Sequence, residues 1–334
     1  MKNRVLVLFC GGTIIMKESK RGFAPPADAN EAMDILNQLE PKIEEIANID
    51  FEFVANMDST NIDPGLWEKL SAIIYEKYDE YDGFVVTHGT DTMAYTASAL
   101  SFALKDIGKP IILTGSQIPG TKLETDARLN YINAVRLATK DLSGVYIVFD
   151  ERIIQGNRAT KVSESELDAF KTVNADDAGK IRMDIKLNKN INRRHKRLPI
   201  LSNKFDSDIA IITLAPGSDY SDLSFWLTEK RIKGLIIQAF GSGNLPNNFQ
   251  EVFENAHKNR VPIVVKTQCL NGKTNIGLYG VGPKIKKSNI IQSYDMSLEA
   301  TATKLMWTIY NIPYENTKMV MESNFAGEID NSYI

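Results

Sequence analysis

Short apolar runs alternate with helical patterns through the first half of the chain, and that alternation limits the fold more than any other feature. Val5–Cys10 reads as a strand and Ala29–Leu39 as a helix. Phe51–Ala55 is strand-like, and Pro64–Glu76 is a helix with proline near its start, where a missing N–H has no partner to lose. Gly83–Thr87, Pro110–Thr114 and Val145–Phe149 read as further strands, separated by helices over Ala94–Lys105 and Asp126–Thr139. Strands joined through helices run parallel, so the predicted class is α/β. A larger N-terminal parallel-sheet domain of the flavodoxin-like or Rossmann-like kind is expected. The alternation resumes on a smaller scale, with strands over Ile209–Leu214, Gly234–Gln238 and Pro262–Thr267 and helices over Leu223–Lys230, Phe249–His257 and Leu298–Tyr310. At 334 residues the chain exceeds what one core ordinarily holds, and the predicted division is 1–190 and 207–334. The polar, basic stretch from Lys186 to Arg197 has no helical period, and a linker is expected over 186–207.

Charge and cysteine usage remove several function classes. The net charge of −3 argues against a dedicated nucleic-acid binder, which needs a basic surplus to neutralise phosphates. The isolated basic run in an acidic chain reads as a solvated loop. Two distant cysteines, Cys10 and Cys269, make no disulfide framework and fit a reducing cytoplasm. Val5–Cys10 is too short for a signal-peptide core, and no apolar run is long enough for a membrane span. Neither nucleic acid nor membrane is an expected partner.

In open parallel sheets ligands bind beyond the carboxyl ends of the strands, so the residues following each strand are the candidates. They are Gly11-Gly12-Thr13-Ile14, then Met57-Asp58-Ser59-Thr60, then His88-Gly89-Thr90-Asp91-Thr92-Met93, then Gly115-Ser116-Gln117, and finally the segment ending Gly156-Asn157-Arg158-Ala159-Thr160-Lys161. Hydroxyls, acids and one lysine converge on a single edge. The glycine pair lets the backbone approach a ligand closely, or simply makes a tight turn with Thr13 as a cap. A dinucleotide fingerprint is missing, because no later glycine falls at the required spacing. Thr92 reads as the N-cap of the following helix. His88 is the obvious base, but neighbouring side chains on a strand point to opposite faces, and a structural role is expected for it.

These motifs together resemble the L-asparaginase family of the bacterial type, in its cytoplasmic type I branch. The resemblance rests on Gly11–Ile14, His88–Met93 and Thr160-Lys161, and extends through Met93–Leu100, Thr114–Pro119, Gly156–Arg158, Thr267-Gln268-Cys269 and Gly327-Glu328. It runs in order over essentially the whole chain. It implies hydrolysis of L-asparagine to L-aspartate and ammonia, with no cofactor and no metal. By motif match Thr13 takes the place of the nucleophile that forms the acyl-enzyme. Thr90, Asp91 and Lys161 take the place of a second catalytic group, and Asp58, Ser59 and Thr60 that of the loop holding the substrate's α-groups. The chemistry is coherent. Asp91 can accept from the α-ammonium, and Ser59, Thr60 and backbone N–H groups can donate to the α-carboxylate. A threonine hydroxyl can attack an amide carbon once its proton is removed, and an oxyanion can rest on N–H groups near Ser116-Gln117. Burial and Thr90 are expected to let Lys161 relay a proton, with Thr90 activating the water or sharing the attack.

Two departures stand out. The family's loop tyrosine is matched by Phe23 in Gly22-Phe23-Ala24-Pro25, and a phenyl ring cannot pass a proton. The arginine of an effector site in some relatives is matched by Gln238, beside Cys269. An amide binds a carboxylate less strongly than a guanidinium, so weak or absent activation by asparagine is expected, with Cys269 read as a small buried hydrophobe. Family members assemble as homodimers or homotetramers; Asn244 resembles a position near the neighbouring site, with Asp295 or Glu299 as further candidates, although Asn244 can equally turn a loop and Glu299 face water. Rival readings are the ammonia-producing subunit of a tRNA-dependent amidotransferase, a broader asparaginase–glutaminase, and a non-catalytic amino-acid sensor.

Overall fold

Runs that are apolar on both faces form strands that helices cover on both sides. In the computed structural model, which describes residues 2–19, 22–229, 231–276 and 290–334, four such runs pair as parallel strands with a partly exposed edge strand, β2 (Asn48–Met57): β1 (Arg4–Gly11), β3 (Gly83–Thr87), β4 (Pro110–Thr114) and β5 (Gly144–Phe149). Every residue of β3 and β4 is buried. β1 lies between β2 and β3, β4 follows β3, and β5 follows β4. This 2-1-3-4-5 order is that of flavodoxin-like folds. Three antiparallel strands extend the β5 edge, namely β6 (Arg152–Gln155), β7 (Gly179–Ile181) and β8 (Ile185–Leu187).

Alternation along each strand feeds two cores. Leu6, Leu8, Val86 and Leu113 face α2 (Pro64–Glu76) and α3 (Met93–Ala103). Val5, Val7, Phe9, Val85 and Ile112 face α1 (Ala29–Leu39) and α4 (Ala127–Ala138). The start signals written in the sequence are used as such. Asp28 and Asp63 cap α1 and α2 with their carboxylates, and Pro64 opens α2. α3 is buried all round, which explains its alanine and serine content. A Cβ on Gly156 would lie 3.0 Å from the Ala97 methyl. α3 also ends sooner than the sequence suggested, because Leu104–Lys105 leave the helix to pair with Ile200–Leu201.

The chain divides into two compact units, Met1–Asn203 and Lys204–Ile334. The basic stretch before the division is bonded to the first unit rather than hanging free. Arg194 donates to the carbonyls of Asp82, Ala138 and Lys140, and His195 N–H to that of Gly108. The arginines of that stretch thus satisfy strand-end and helix-end carbonyls that would otherwise lack donors.

The second unit holds a four-stranded parallel sheet of β9 (Ile209–Thr213), β10 (Gly234–Ala239), β11 (Ile263–Thr267) and β12 (Ile291–Gln292). Its helices are α5 (Asp222–Thr228), α6 (Gln250–Lys258), α7 (Leu298–Asn311) and α8 (Tyr314–Met321). Lys230, at the end of the expected helix over 223–230, lies outside the described residues. α8 was not anticipated from the sequence. It follows Pro313 directly, and its apolar stripe is narrow, with only Thr317 and Met321 buried.

Candidate active site

The strand order reverses direction between β2, β1 and β3, and the carboxyl ends there open the crevice in which such sheets bind ligands. Two glycines bring the motif loops together at that point. Gly11, at φ 105°, lies so close to the Met57 backbone that no Cβ fits between them. Gly12, at φ 98°, has the same relation to the next loop: a Cβ there would stand 2.6 Å from Gly89 N and from the His88 carbonyl carbon. Gly89 in turn leaves no room for a Cβ beside the Ser59 hydroxyl, which would be 2.6 Å away. The loops carrying Thr13, Ser59 and Thr90 are therefore in backbone contact. Thr13 opens a short 3-10 turn, Thr13–Ile15, whose two isoleucines are buried beneath it while Thr13 itself is half-buried.

Lys161 reaches the same edge on a small antiparallel hairpin of Ala159–Lys161 with Phe170–Thr172. Its ammonium donates to Thr90 Oγ1 at 2.8 Å and pairs with Asp91 Oδ1 at 2.7 Å. Thr90 is buried, the Lys161 side chain is 17% exposed, and that of Asp91 is 54% exposed. The carboxylate thus faces solvent, where a cationic group of a ligand would arrive, and the hydroxyl faces the interior. Thr90 also donates to Gln117 Oε1 at 3.2 Å.

The remaining members of the motifs hold the frame. His88 is fully buried; its Nδ1–H donates to the Gly89 carbonyl at 2.7 Å, and Nε2 accepts from the Thr96 hydroxyl at 2.8 Å, which itself accepts from the Trp67 indole. Burial lowers its pKa to about 4, so the ring is neutral and points into the core, as the strand alternation suggested. Thr92 occupies the N-cap position of α3 but does not cap it. Its hydroxyl donates instead to the Ser59 carbonyl at 2.7 Å, tying the second loop to the third.

In the Asp58–Thr60 loop, the Thr60 N–H and hydroxyl both donate to Asp58 Oδ1, at 2.9 and 2.8 Å. These bonds, the N–H foremost, hold the Asp58 carboxyl below its usual range. Both donors of Thr60 are thereby directed at Asp58, whereas Ser59 is buried against Gly89.

Asp126, read from the sequence only as a helix start, has a larger part. Its carboxylate accepts from Gln117 N–H and Ile118 N–H, both at 3.0 Å, and from the Asn130 amide. The expected oxyanion contact at the Gln117 N–H is therefore already occupied by a carboxylate. An acid nine residues after a strand-end Gly-Ser-Gln was the available signal.

In the second unit, Gln238 Oε1 accepts from the Thr213 hydroxyl at 2.7 Å. Cys269 is exposed rather than buried, because the strand ends at Thr267 and the chain turns outward there. Asn244 closes a tight turn with Phe240, to whose carbonyl its N–H donates at 2.7 Å. Asp295 and Glu299 are both buried, so Glu299 does not face water. Asp295 accepts from the Asp330 N–H.

The edge thus offers a threonine on a turn that tolerates close approach, a second threonine on an ammonium, and an outward carboxylate. That set can bind a cationic group and add a hydroxyl to a carbonyl. The family model "Asparaginase, N-terminal" matches residues 4–193, and "Glutaminase/Asparaginase C-terminal domain" matches 208–318. An L-asparaginase of Thermococcus kodakarensis is 34% identical over 98% of this chain and 100% of its own length. A glutamyl-tRNA(Gln) amidotransferase subunit of Methanococcus maripaludis (strain C6) is 32% identical over 99% of this chain and 82% of its own. The crystal structure of L-asparaginase I from Vibrio cholerae superposes with a TM-score of 0.88 at 32% identity, covering 99% of this chain and all of that one.

Proposed function

The chain belongs to the asparaginase family, with type I enzymes among its structural neighbours, and from that premise we propose that it hydrolyses L-asparagine to L-aspartate and ammonia. The observation that carries the reading is the Asp91–Lys161–Thr90 chain, with links of 2.7 and 2.8 Å, beside the Gly11-Gly12-Thr13 turn.

Thr13 Oγ1 adds to the side-chain amide carbon. The amide nitrogen takes up the proton that the Thr13 hydroxyl loses and leaves as ammonia, and the acyl group stays on Thr13. Lys161 in its neutral form, acting through Thr90, then takes a proton from water, whose oxygen adds to the ester; that proton passes to the leaving Thr13 oxygen as L-aspartate is released. Asp91 accepts from the substrate's α-ammonium. Ser59 and neighbouring N–H groups face its α-carboxylate. Glutamine is one methylene longer, a difference a pocket weighs at only ~1–3 kcal/mol, so a slower glutaminase activity is part of the proposal. We place the enzyme in the cytoplasm, in keeping with its two free cysteines, and as a homodimer or homotetramer; light scattering of the purified chain reads the latter.

Ammonia release from L-asparagine by the purified chain tests the function. Activity without any partner separates it from an amidotransferase subunit, and no turnover with retained binding would make it a sensor. Thr13→Ala and Lys161→Met are expected to lower kcat by roughly 10³-fold or more with unchanged melting. A Lys161→Met protein that melts and turns over like the wild type removes the lysine from the mechanism.

A further inference from the structure

The amide of Gln117 has only one orientation that its neighbours allow. Its Nε2 donates to the Glu166 carbonyl at 3.2 Å, and a carbonyl can only accept, so Oε1 must face Thr90. An amide oxygen can only accept as well, so the Thr90 hydroxyl must donate to it. Lys161, an ammonium with three donors, then donates to a lone pair of the Thr90 oxygen at 2.8 Å. The result is a one-way series of donors from Lys161 to Thr90 to Gln117 to Glu166. The last two members are anchored: Asp126 clamps the Gln117 N–H at 3.0 Å, and Glu166 sits in the loop that joins the two strands of the hairpin carrying Lys161.

We propose that Gln117 is a positioning residue that turns the Thr90 proton away from Lys161 and so holds the pair in its resting, protonated-lysine arrangement. This rests on the reading of Thr90 and Lys161 as reacting groups. For Thr90 to hand its proton to Lys161, the lysine must first be neutral and the hydroxyl must rotate off Gln117 toward Nζ. That rotation leaves Oε1 without its donor, so Gln117 opposes it by about the strength of one neutral hydrogen bond. The charged groups facing the pair are Asp91, in contact with Nζ, and Glu164, whose carboxyl Lys161 helps to keep low after bonds within its own loop. Asp126 lies behind the Gln117 backbone, and Glu166 contributes its carbonyl. Beside these charges Gln117 adds a neutral, directional contact on the Thr90 hydroxyl.

The test is the pH dependence of kcat for asparagine in two variants, with KM and melting temperature measured alongside. Gln117→Met removes the acceptor at nearly constant volume, and Gln117→Glu keeps the acceptor and adds a negative charge. The acid-side limb is expected to move to lower pH by up to about one unit in Gln117→Met, the shift one neutral hydrogen bond corresponds to. It is expected to move to higher pH in Gln117→Glu. KM is expected to change less than kcat, since Gln117 acts through Thr90. Limbs that coincide with the wild type's, or that move in the same direction in both variants, overturn the proposal. A wild-type rate in Thr90→Ala and Lys161→Met would instead overturn the reading of the reacting pair, so the two failures are distinguishable.

Discussion

Replacing Gly12 by alanine should separate the loops that form the proposed active site. Gly12 has φ 98° and ψ 164°, a region that only glycine occupies freely, and an alanine there costs ~1–3 kcal/mol in backbone strain. The added methyl would lie 2.6 Å from Gly89 N and the His88 carbonyl carbon, and 2.7 Å from the His88 oxygen. All three are backbone atoms, so no side chain can rotate away, and overpacking adds ~1–3 kcal/mol. The sum centres near ~4 kcal/mol. For a unit of this size each kilocalorie lowers Tm by ~2–4 °C, which gives a loss of ~8–16 °C. The methyl also pushes the Thr13 turn away from Thr90, and misplacement of reacting groups by about 1 Å costs ~10²-fold in rate. Calorimetry and ammonia release read the two effects. Gly217→Ala is the control, since Gly217 has φ 78° but no described atom within 4 Å of the added carbon; it should show backbone strain alone, ~1–2 kcal/mol. A Gly12→Ala protein that melts and turns over with the wild type would refute the argument, as would a Gly217→Ala protein that loses as much.

Four further outcomes are expected. His88 has a folded pKa of about 4 against an ordinary value of 6.5, so as pH falls the unfolded chain binds its proton first. Its contribution is complete above pH ~6.5 and is lost as pH falls toward 4, roughly 3 kcal/mol in all; a melting temperature flat across that window in wild type would contradict it. Lys304 and Glu328 are fully buried 2.5 Å apart, with the lysine also donating to the Met321 and Ser323 carbonyls. Lys304→Met should cost about 3–5 kcal/mol by stranding the carboxylate, and adding Glu328→Gln should recover part of it in a denaturant titration. Phe23 is 48% exposed, with Lys122 Nζ 5.6 Å from its ring centre. Phe23→Tyr should raise kcat if a loop phenol assists Thr13, and an unchanged kcat would show that the loop needs only an aromatic cover. Because Gln238 is an amide already bonded to Thr213, rate curves for asparagine should be hyperbolic; sigmoidal curves abolished by Gln238→Ala would refute this.

Much of the fold is legible in the sequence because local rules and tertiary demands agree there. Two-sided apolar runs had to be buried strands, and Asp28, Asp63 and Pro64 mark helix starts by their own chemistry. α1 and α2 consequently span the residues the pattern indicates. The short strands β6, β7 and β8 carry no such signal, since three or four residues show no usable period and their pairing is supplied by the neighbouring strand. The sequence alone also determined which residues gather at the carboxyl edge, because strand order and polarity put every strand-end loop there. Only the tertiary structure decided how they meet. That Thr92 ties down Ser59 rather than capping α3, that Asp126 takes the Gln117 N–H, that Cys269 is exposed, and that Lys161 finds both Thr90 and Asp91 are matters of side-chain direction. Hydrogen bonds act over about 3 Å, and separations of that size between residues far apart in the chain are set by packing, which no local pattern encodes.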